Sequence, residues 1–324
     1  MVVELVERPL PKPSSEGYIE ARLLEALGEA RLALEYLERG LTRNAACKAF
    51  QAWKALLAAL LRLELERLKA LAKTEEERRW LESKAVPRVP TTKMKELSRL
   101  LEEAGHEGIP FVTALALDLH DYQYHGPVSP KRLLRDDPAA SMVVELVERP
   151  LPKPSDEGYV EARLLEALGE ARLALEYLER GFTRDAAGMA FHAWKALLAA
   201  LLRLELERLK AVAKTEEERK WLESKAVPRV PTTKMKELSR LLRDVGHEGI
   251  TFVTDKALDL HDYQYHGPDP DAVLSKYTTR KSAAADVVEL LQELARRVET
   301  LKGRIKWSDE LEKALEDVRR ALTR

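Results

Sequence analysis

The sequence contains a single cysteine, Cys47, and it lacks the features of an exported or membrane-embedded protein. One thiol excludes both a disulfide framework and a cysteine-ligated metal site, so we expect a reducing cytoplasmic location. The longest apolar run, over residues 55–61, is far too short to cross a bilayer. The first residues also lack the apolar core of a secretory signal. These absences predict a soluble cytoplasmic protein without membrane contact.

The net charge is also close to zero, because 54 basic residues offset 55 acidic ones. No overall field attracts the chain to nucleic acid, so any RNA contact must come from a local patch. One asparagine and four glutamines stand against an excess of Glu, Arg, Lys and Leu, a pattern typical of proteins from hot environments. We expect no bound cofactor.

The sequence does contain an internal duplication. Residues 2–127 overlay residues 143–268 with fifteen differences in 126 positions. Copies of this length are two domains of one fold, since a solenoid needs several short repeats. The predicted division is a first domain with its proline-rich linker, a second domain, and a C-terminal helix, at residues 1–141 (linker 128–141), 142–303 and 304–324.

Helical spacing of apolar residues predicts an all-α bundle in each copy, and no useful alternating strand pattern is found. In the first copy we expect five helices, over residues 17–40, 42 to about 72, 74–80, 94–104 and 111–124. Two prolines should break the chain between the third and fourth of them, at residues 85–92. The first two helices carry these apolar stripes: Leu23, Leu27, Ala30, Leu34, Leu37; then Ala46, Phe50, Trp53, Leu57, Leu61, Leu65, Leu68.

The second copy carries additional helices. Residues 278–303 predict a long helix that has no equivalent before the linker of the first copy. A last helix from Ser308 is a candidate cover for the first copy, where Ala114 and Leu115 replace two charged residues of the second. Its apolar stripe comprises Leu311, Leu315, Val318 and Leu322.

The stretch ALDLHDYQYHGP occurs unchanged in both copies, at residues 116–127 and 257–268. On a helix, Asp121 and His125 share one face, so the carboxylate can orient the imidazole as a general base requires. His120 lies on another face. The same groups can instead form a polar layer between helices, in which each buried group finds a partner. Their spacing matches no specific metal motif.

Three stretches resemble the archaeal PaREP-type proteins, which belong to the broader HEPN group of helical domains. They are LERGLTRNAACKAFQAWKALLAALL at residues 37–61, VPTTKMKEL at 89–97 and LHDYQYHGPDPDAVLSKY at 260–277. The similarity covers nearly all of each copy. It implies that the two all-α bundles pair through their second and fifth helices as an intramolecular pseudo-dimer.

The HEPN resemblance also implies RNA or nucleotide binding and, as in many members, metal-independent RNA cleavage, with a nucleotidyltransferase as a partner of some. The residues that match the catalytic positions are His120, Asp121, His125, His261, Asp262 and His266. Histidine stands at 120 and 261 where active members carry arginine, and imidazole, unlike guanidinium, titrates near neutrality. The implied reaction needs one ring charged and the other neutral, which predicts a bell-shaped pH profile.

A second candidate surface lies at the start of the second helix of each copy. Its basic residues and one tyrosine from each motif are predicted to contact nucleic acid: Arg43, Lys48, Lys54, Tyr124, Arg184, Lys195 and Tyr265. The alternative is an ordinary solvated face. Four of the fifteen differences fall here, at residues 44, 47, 48 and 51, which also suits an interface with two specialised halves. The rival to the RNA-cleaving interpretation is a non-catalytic scaffold or partner-binding helical module.

Overall fold

The structure, a computed structural model, describes residues 2–125, 146–149 and 151–323. Every regular element in these ranges is helical and none is a strand, which confirms the all-α prediction. The elements follow the sequence duplication, since the helices of the second copy repeat those of the first 141 residues later.

Two compact units divide the chain. Unit 1 comprises Met1–Pro127 together with His266–Leu274, and unit 2 comprises Val128–Tyr265 together with Ser275–Arg324. This division differs from the predicted one in several respects, among them that the C-terminal helix belongs to unit 2. The segment that follows the second motif, His266–Leu274, belongs to unit 1, although it continues the second copy in the sequence.

The helices of the first copy begin and end close to the predicted positions. They are α1 (Val2–Val6), α2 (Tyr18–Glu38), α3 (Thr42–Leu63), α4 (Leu65–Leu71), α5 (Glu75–Trp80), α6 (Met94–Glu103) and α7 (Ile109–His125). The second predicted helix is split, because it ends at Leu63 and resumes as α4. Helix α1, which the sequence did not indicate, packs on α2 at Gly28. A Cβ there would lie only 2.7 Å from Cγ1 of Val6, so the contact requires glycine.

The second copy contains counterparts of α2–α7 and two further helices. They are α8 (Tyr159–Glu179), α9 (Thr183–Leu204), α10 (Leu206–Val212), α11 (Glu216–Trp221), α12 (Met235–Asp244), α13 (Ile250–His266), α14 (Arg280–Glu299) and α15 (Asp309–Leu322). The two extra helices start at capping residues. Thr279 accepts from the backbone N–H of Ser282, and Ser308 accepts from that of Leu311.

The segment predicted to be irregular because of its prolines is largely helical. A π-helical turn, Leu81–Ala85, runs directly into an α turn, Val86–Arg88. Pro87 fits there because the first positions of a helical turn need no N–H donor. The chain breaks at Val89, whose φ of 40° lies in the left-handed region. Upstream, the capping box that Thr74 forms with Glu77 is present as the sequence indicated.

Long antiparallel helix pairs form the core of both units. Helix α2 packs along α3, which also contacts α7, and α8 packs along α9. Phe50, Leu57 and Leu61 are fully buried on α3, which confirms the predicted stripe of this helix. Burial of each such side chain stabilises the fold by about 1.5–3 kcal/mol. Trp53 is only half-buried in the first copy, whereas its equivalent Trp194 is completely buried.

The apolar stripe of α2, which we expected to be buried, is open in the first copy. Leu27 and Leu34 expose 59% and 62% of their surface, and Leu23 and Leu37 are also exposed. The buried side of α2 carries a different and more polar set: Tyr18, Arg22, Glu25, Gly28, Glu29, Leu32 and Tyr36. In unit 2 the leucine side of α8 is packed against α14 and α15. The prediction is wrong for the first copy because burial of this stripe needs covering helices.

The C-terminal helix packs within unit 2. Helix α15 contacts α8 and α14, and its stripe residues Leu311, Leu315 and Val318 are fully buried. The stripe is therefore occupied in unit 2, which differs from its predicted role as a cover for the first copy.

Helix α9 is the one described helix that is long and apolar enough to cross a membrane by length and composition. However, 78% of its apolar window is buried inside the protein. Burial of this extent is that of a core helix.

Candidate functional site

The second motif begins within α13, runs past its last residue, His266, and is tied to α9 through its backbone. Arg184 donates from Nε to the carbonyl oxygen of Gln264 at 3.0 Å and from Nη2 to that of Tyr265 at 3.2 Å. A cation at a helix C-terminus also offsets the partial negative charge of the exposed carbonyl groups. Near the other end of α13, Nε1 of Trp194 donates to Oγ1 of Thr254 at 3.0 Å. These bonds fix the register of the motif on α9.

The first motif is held on α3 in the same way. Arg43 donates from Nε to the carbonyl oxygen of Gln123 at 2.9 Å, and the hydroxyls of Thr42 and Tyr122 lie 2.7 Å apart. Both Arg43 and Arg184 are buried. We therefore assign these two arginines a role in joining helices, in place of the predicted contact with nucleic acid.

The basic edge predicted at the start of α3 is not a solvated face. Lys48 is buried, and its Nζ lies 2.9 Å from Oε2 of Glu29 and 2.9 Å from Oε1 of Gln51. A buried ammonium in such an ion pair is committed to the protein interior. Lys48 is therefore structural, whereas the nucleic-acid contacts of the half-buried Lys54 and Lys195 stay predictions.

In the first motif, His120 packs on the core and Asp121 faces solvent. The imidazole of His120 lies 4.5 Å from the ring of Phe50, at an interplanar angle of 54°. Its Nδ1 is 3.9 Å from Oδ1 of Asp121, too far for a hydrogen bond, and the Asp121 side chain is 84% exposed. The side chains of Tyr124 and His125 lie outside the described part of the structure, so the predicted pairing of Asp121 with His125 does too.

In the second motif, His261 is held more tightly. Its ring stacks on Phe191 at 4.1 Å, and its Nδ1 lies 2.5 Å from Nε2 of Gln264. An amide nitrogen donates, so in this contact Nδ1 is the acceptor. That arrangement disfavours the charged form which the implied reaction needs at this position. Tyr265 packs edge-on against the same ring at 5.2 Å, and Asp262 is exposed.

The last residue of the second motif, His266, is half-buried and lines a cavity of about 860 Å³ in unit 1. The residues that build the rest of the cavity lie far apart in the sequence. They include residues 9–14 before α2, Tyr18 and Arg22 on α2, Arg62 on α3, Lys84 and Arg88 in the turns after α5, and residues 268–271, 273 and 274.

Hydrogen bonds fix the walls of this cavity. Arg62 donates from Nε to the carbonyl oxygen of Pro13 at 2.6 Å, and Arg88 donates from Nη2 to that of Val273 at 3.0 Å. The carboxylate of Asp269 accepts from the backbone N–H of Val273 at 2.7 Å and of Leu274 at 2.6 Å. These bonds hold residues 269–274 in a turn. The cavity is thus preformed.

Two buried side chains in the wall, those of Tyr18 and Arg22, are hydrogen-bonded to each other. Nε of Arg22 donates to the hydroxyl of Tyr18 at 3.0 Å, and its Nη1 donates to Oε2 of Glu25 at 2.7 Å. Burial raises the pKa of the Tyr18 phenol, and although the Arg22 guanidinium lowers it, the net direction is upward. Tyr18 is therefore neutral at pH 7 and donates to the carbonyl oxygen of Val86 at 3.0 Å.

Lys84 is the cation in this wall that is not engaged by the protein. It is exposed and makes no hydrogen bond or ion pair with the described residues. The acidic wall residues, by contrast, have partners. Glu66 and Glu82 lie 3.3 and 3.2 Å from Nζ of Lys69, and Asp271 lies 3.1 Å from Nζ of Lys12. Lys84 therefore adds positive charge to that of Arg62 and Arg88, which bind neutral carbonyl groups.

Sequence reasoning singled out His266 as a candidate and gave no indication of the other residues that line the cavity. Its members have no common periodicity, and several lie in the segments PLPKPS and HGPDPDAVL. The concentration of proline at residues 9–13 and 268–270 was the available signal, since it predicts rigid extended chain beside the motif.

No metal site accompanies these groups in the described ranges, where no cluster of three or more His, Cys, Asp or Glu side chains could hold an ion. The remaining histidines of the GHEG segments have structural partners. Nε2 of His106 lies 3.0 Å from Oε1 of Glu64, and Nε2 of His247 lies 3.0 Å from Oε1 of Glu205.

Comparison with known proteins places both copies in one family. A family model described as the archaeal PaREP1/PaREP8 family matches residues 21–144 and again residues 162–288. The two matches together cover more than half of the chain and reproduce the duplication. Searches of curated proteins and of solved structures gave no match.

Proposed function

We propose that this chain, which belongs to the archaeal PaREP1/PaREP8 family, is a tandem HEPN-like protein that binds RNA or a nucleotide in the cavity beside His266. One observation carries the proposal: the last histidine of the duplicated motif lines a preformed cavity together with an unengaged lysine. Its volume, about 860 Å³, lies in the range of roughly 300–1,000 Å³ that is typical of ligand sites. The pairing of the two copies as a pseudo-dimer is part of this proposal.

The chemistry of the wall favours a phosphate-bearing ligand. Lys84 offers a free ammonium, and Arg62 and Arg88 each use only part of the guanidinium in the bonds described above. Lysine and arginine are the usual phosphate ligands, the first as a point charge and the second as a fork. The prolines of residues 9–13 supply apolar surface against which a base or ribose can pack.

RNA cleavage is the finer part of the proposal. His266, when neutral, takes the proton of a ribose 2′-hydroxyl, and that oxygen bonds to the adjacent phosphorus as the bond from phosphorus to the 5′-oxygen breaks. The products are a 2′,3′-cyclic phosphate and a 5′-hydroxyl, whose proton comes from solvent. Lys84 stabilises the negative charge that develops on the phosphate. His261 is given no role in this scheme, because its Nδ1 accepts a hydrogen bond from Gln264.

A non-catalytic scaffold is the second candidate, and the backbone contacts of the motifs favour it. Arg184 on Gln264 and Arg43 on Gln123 bind carbonyl groups, and both glutamine side chains are buried. Much of each motif therefore holds helices together. Under this alternative His266 only packs against neighbouring side chains, and no RNA binds in the cavity.

The test is incubation of the full chain with a mixed RNA pool in the presence of EDTA, with His266→Ala in parallel. We expect RNA to bind the wild type, to be cleaved by it to 2′,3′-cyclic ends, and to stay intact with His266→Ala. Binding without cleavage would reject the catalytic step and keep the ligand site. Absence of RNA binding would reject the ligand site and favour the non-catalytic scaffold.

A further inference from the structure

One face of the first copy is apolar and open where the same face of the second copy is covered. Its members are three pairs of leucines, two pairs on α2 and one on α7, with exposed fractions of 37–62%: Leu23, Leu27, Leu34, Leu37, Leu115 and Leu119. In the second copy Leu164, Leu168 and Leu260 occupy the positions of Leu23, Leu27 and Leu119 and are at most 1% exposed. We call this set the leucine face.

The second copy shows that the leucine face is continuous. Helix α14 packs on both α8 and α9 there, and Asp286 of α14 reaches α13 through Nζ of Lys256 at 2.9 Å. Helices α14 and α15 thus together cover the three elements that correspond to α2, α3 and α7. The leucine face exposes on the order of 500 Å² of apolar surface, within the roughly 300–600 Å² of a large and often functional patch.

At its α7 end, the leucine face requires an apolar occupant. In unit 2 the covering helix is acidic at this point, since Asp286 and Glu289 both pair with Lys256. The first copy has Leu115 in place of that lysine and Ala114 in place of Asp255. A helix with the charges of α14 would therefore bury carboxylates against leucine, which costs several kcal/mol. An apolar surface, by contrast, fits.

The leucine face itself is such a surface, and its α2 portion is symmetric in sequence. Leu23 and Leu37 lie seven residues to either side of Ala30, and Leu27 and Leu34 lie three and four residues from it. Two α2 helices that cross antiparallel at Ala30 place Leu23 against Leu37 and Leu27 against Leu34 of the other chain. The exposed alanine at the centre lets the helix axes approach to about 8 Å.

We propose that the leucine face is an interface between two copies of this chain, related by a twofold axis near Ala30. An isologous contact uses the same patch twice and so needs the self-complementarity that α2 has. Two leucine faces bury on the order of 1,000 Å² of apolar surface, the size that a biological interface should reach, although stable interfaces more often bury about 1,200–2,000 Å². This contact is separate from the ligand cavity, so either proposal can fail without the other.

Sedimentation velocity on the full chain tests the interface. We expect a species of twice the 36.8 kDa chain mass at micromolar concentration, and a single-chain species after Leu27→Glu with Leu34→Glu. Both leucines are already more than half exposed, so the double variant should fold, which circular dichroism verifies. The matched control is Leu71→Glu, also at an exposed leucine but outside the face, and it should leave the dimer intact.

A second measurement locates the axis. Ala30→Cys should form an interchain cross-link with a short bis-maleimide, whereas the buried Cys47 of the wild type should not. A wild type of single-chain mass would overturn the proposal, because the face would then have no partner copy. So would a dimer that survives the double glutamate change, or a chain that assembles beyond the dimer.

Discussion

Arg304 donates from Nη2 to Oε1 of Glu205 at 2.5 Å, and the same carboxylate oxygen lies 3.0 Å from Nε2 of His247. Arg208 reaches the second oxygen at 2.8 Å. Burial raises the pKa of Glu205, but the hydrogen bonds from Arg304, His247 and Arg208 lower it, and the net shift is downward. The first copy keeps Glu64 and His106 without an equivalent of Arg304, so the two copies form an internal comparison.

Glu205→Gln should destabilise the protein by about 1–3 kcal/mol at pH 7, since the buried carboxylate loses charge-assisted hydrogen bonds from His247 and from the half-exposed Arg304. Glu64→Gln is the matched control and should cost about 1 kcal/mol, because Glu64 is partly exposed and holds only His106. A carboxyl with a lowered pKa stabilises the fold above its unfolded pKa, near 4.3, and loses that effect as pH falls through the folded value.

Urea unfolding as a function of pH checks this prediction. The difference between wild type and Glu205→Gln should shrink below about pH 4 and be constant between pH 6 and 8. Equal costs for the two glutamates would mean that Arg304 contributes nothing.

Lys48 and Glu29 give a second internal comparison, because the position of Lys48 is Met189 in the second copy. Lys48→Met should cost about 3–5 kcal/mol, since Glu29 is fully buried and would lose its cation. Lys48→Met combined with Glu29→Leu should recover most of that loss. Chemical denaturation measures both, and a single variant within about 1 kcal/mol of the wild type would show that this pair is not structural.

Gly188 controls the geometry of the second motif. A Cβ at this position would overlap Oε1 of Gln264, so Gly188→Ala should turn the amide away and break its bond to Nδ1 of His261. We expect a loss of about 1–2 kcal/mol and a changed tautomer of His261, read from its ring nitrogen resonances. Gly158→Ala is the control, since a Cβ there meets nothing within 4 Å. An unchanged His261 spectrum would refute the role of Gly188.

Helix bounds were largely predictable because the signals that set them are local. Thr74 with Glu77 and Ser308 cap helices within a few residues, and the α3 stripe repeats every three or four positions. Periodicity failed for α2, which carries two faces. The leucine side looks more hydrophobic, yet the first copy buries the side with Tyr18, Arg22 and Glu29, because polar groups there find partners across the bundle. Only the second copy has helices that cover the leucines.

The candidate site was only partly predictable for a related reason. The motif is continuous in sequence, so His266 could be singled out from spacing alone. Lys84 could not, since its approach to His266 depends on contacts between segments more than 180 residues apart, such as that of Arg88 with Val273. Conversely, Lys48 was predicted to contact nucleic acid because it is basic, but its burial against Glu29 gives it a structural role.

The duplication supplies the most direct test of the ligand site, because Lys84 lines the cavity and Lys225, the same residue in the second copy, does not. The measurement is fluorescence anisotropy of a labelled single-stranded oligoribonucleotide titrated with the full chain, with Lys84→Ala and with Lys225→Ala. We expect Lys84→Ala to weaken binding at least about tenfold, the value of one charged hydrogen bond to phosphate, and Lys225→Ala to leave it unchanged. Equal effects of the two substitutions, or no binding by the wild type, would contradict an RNA or nucleotide site beside His266.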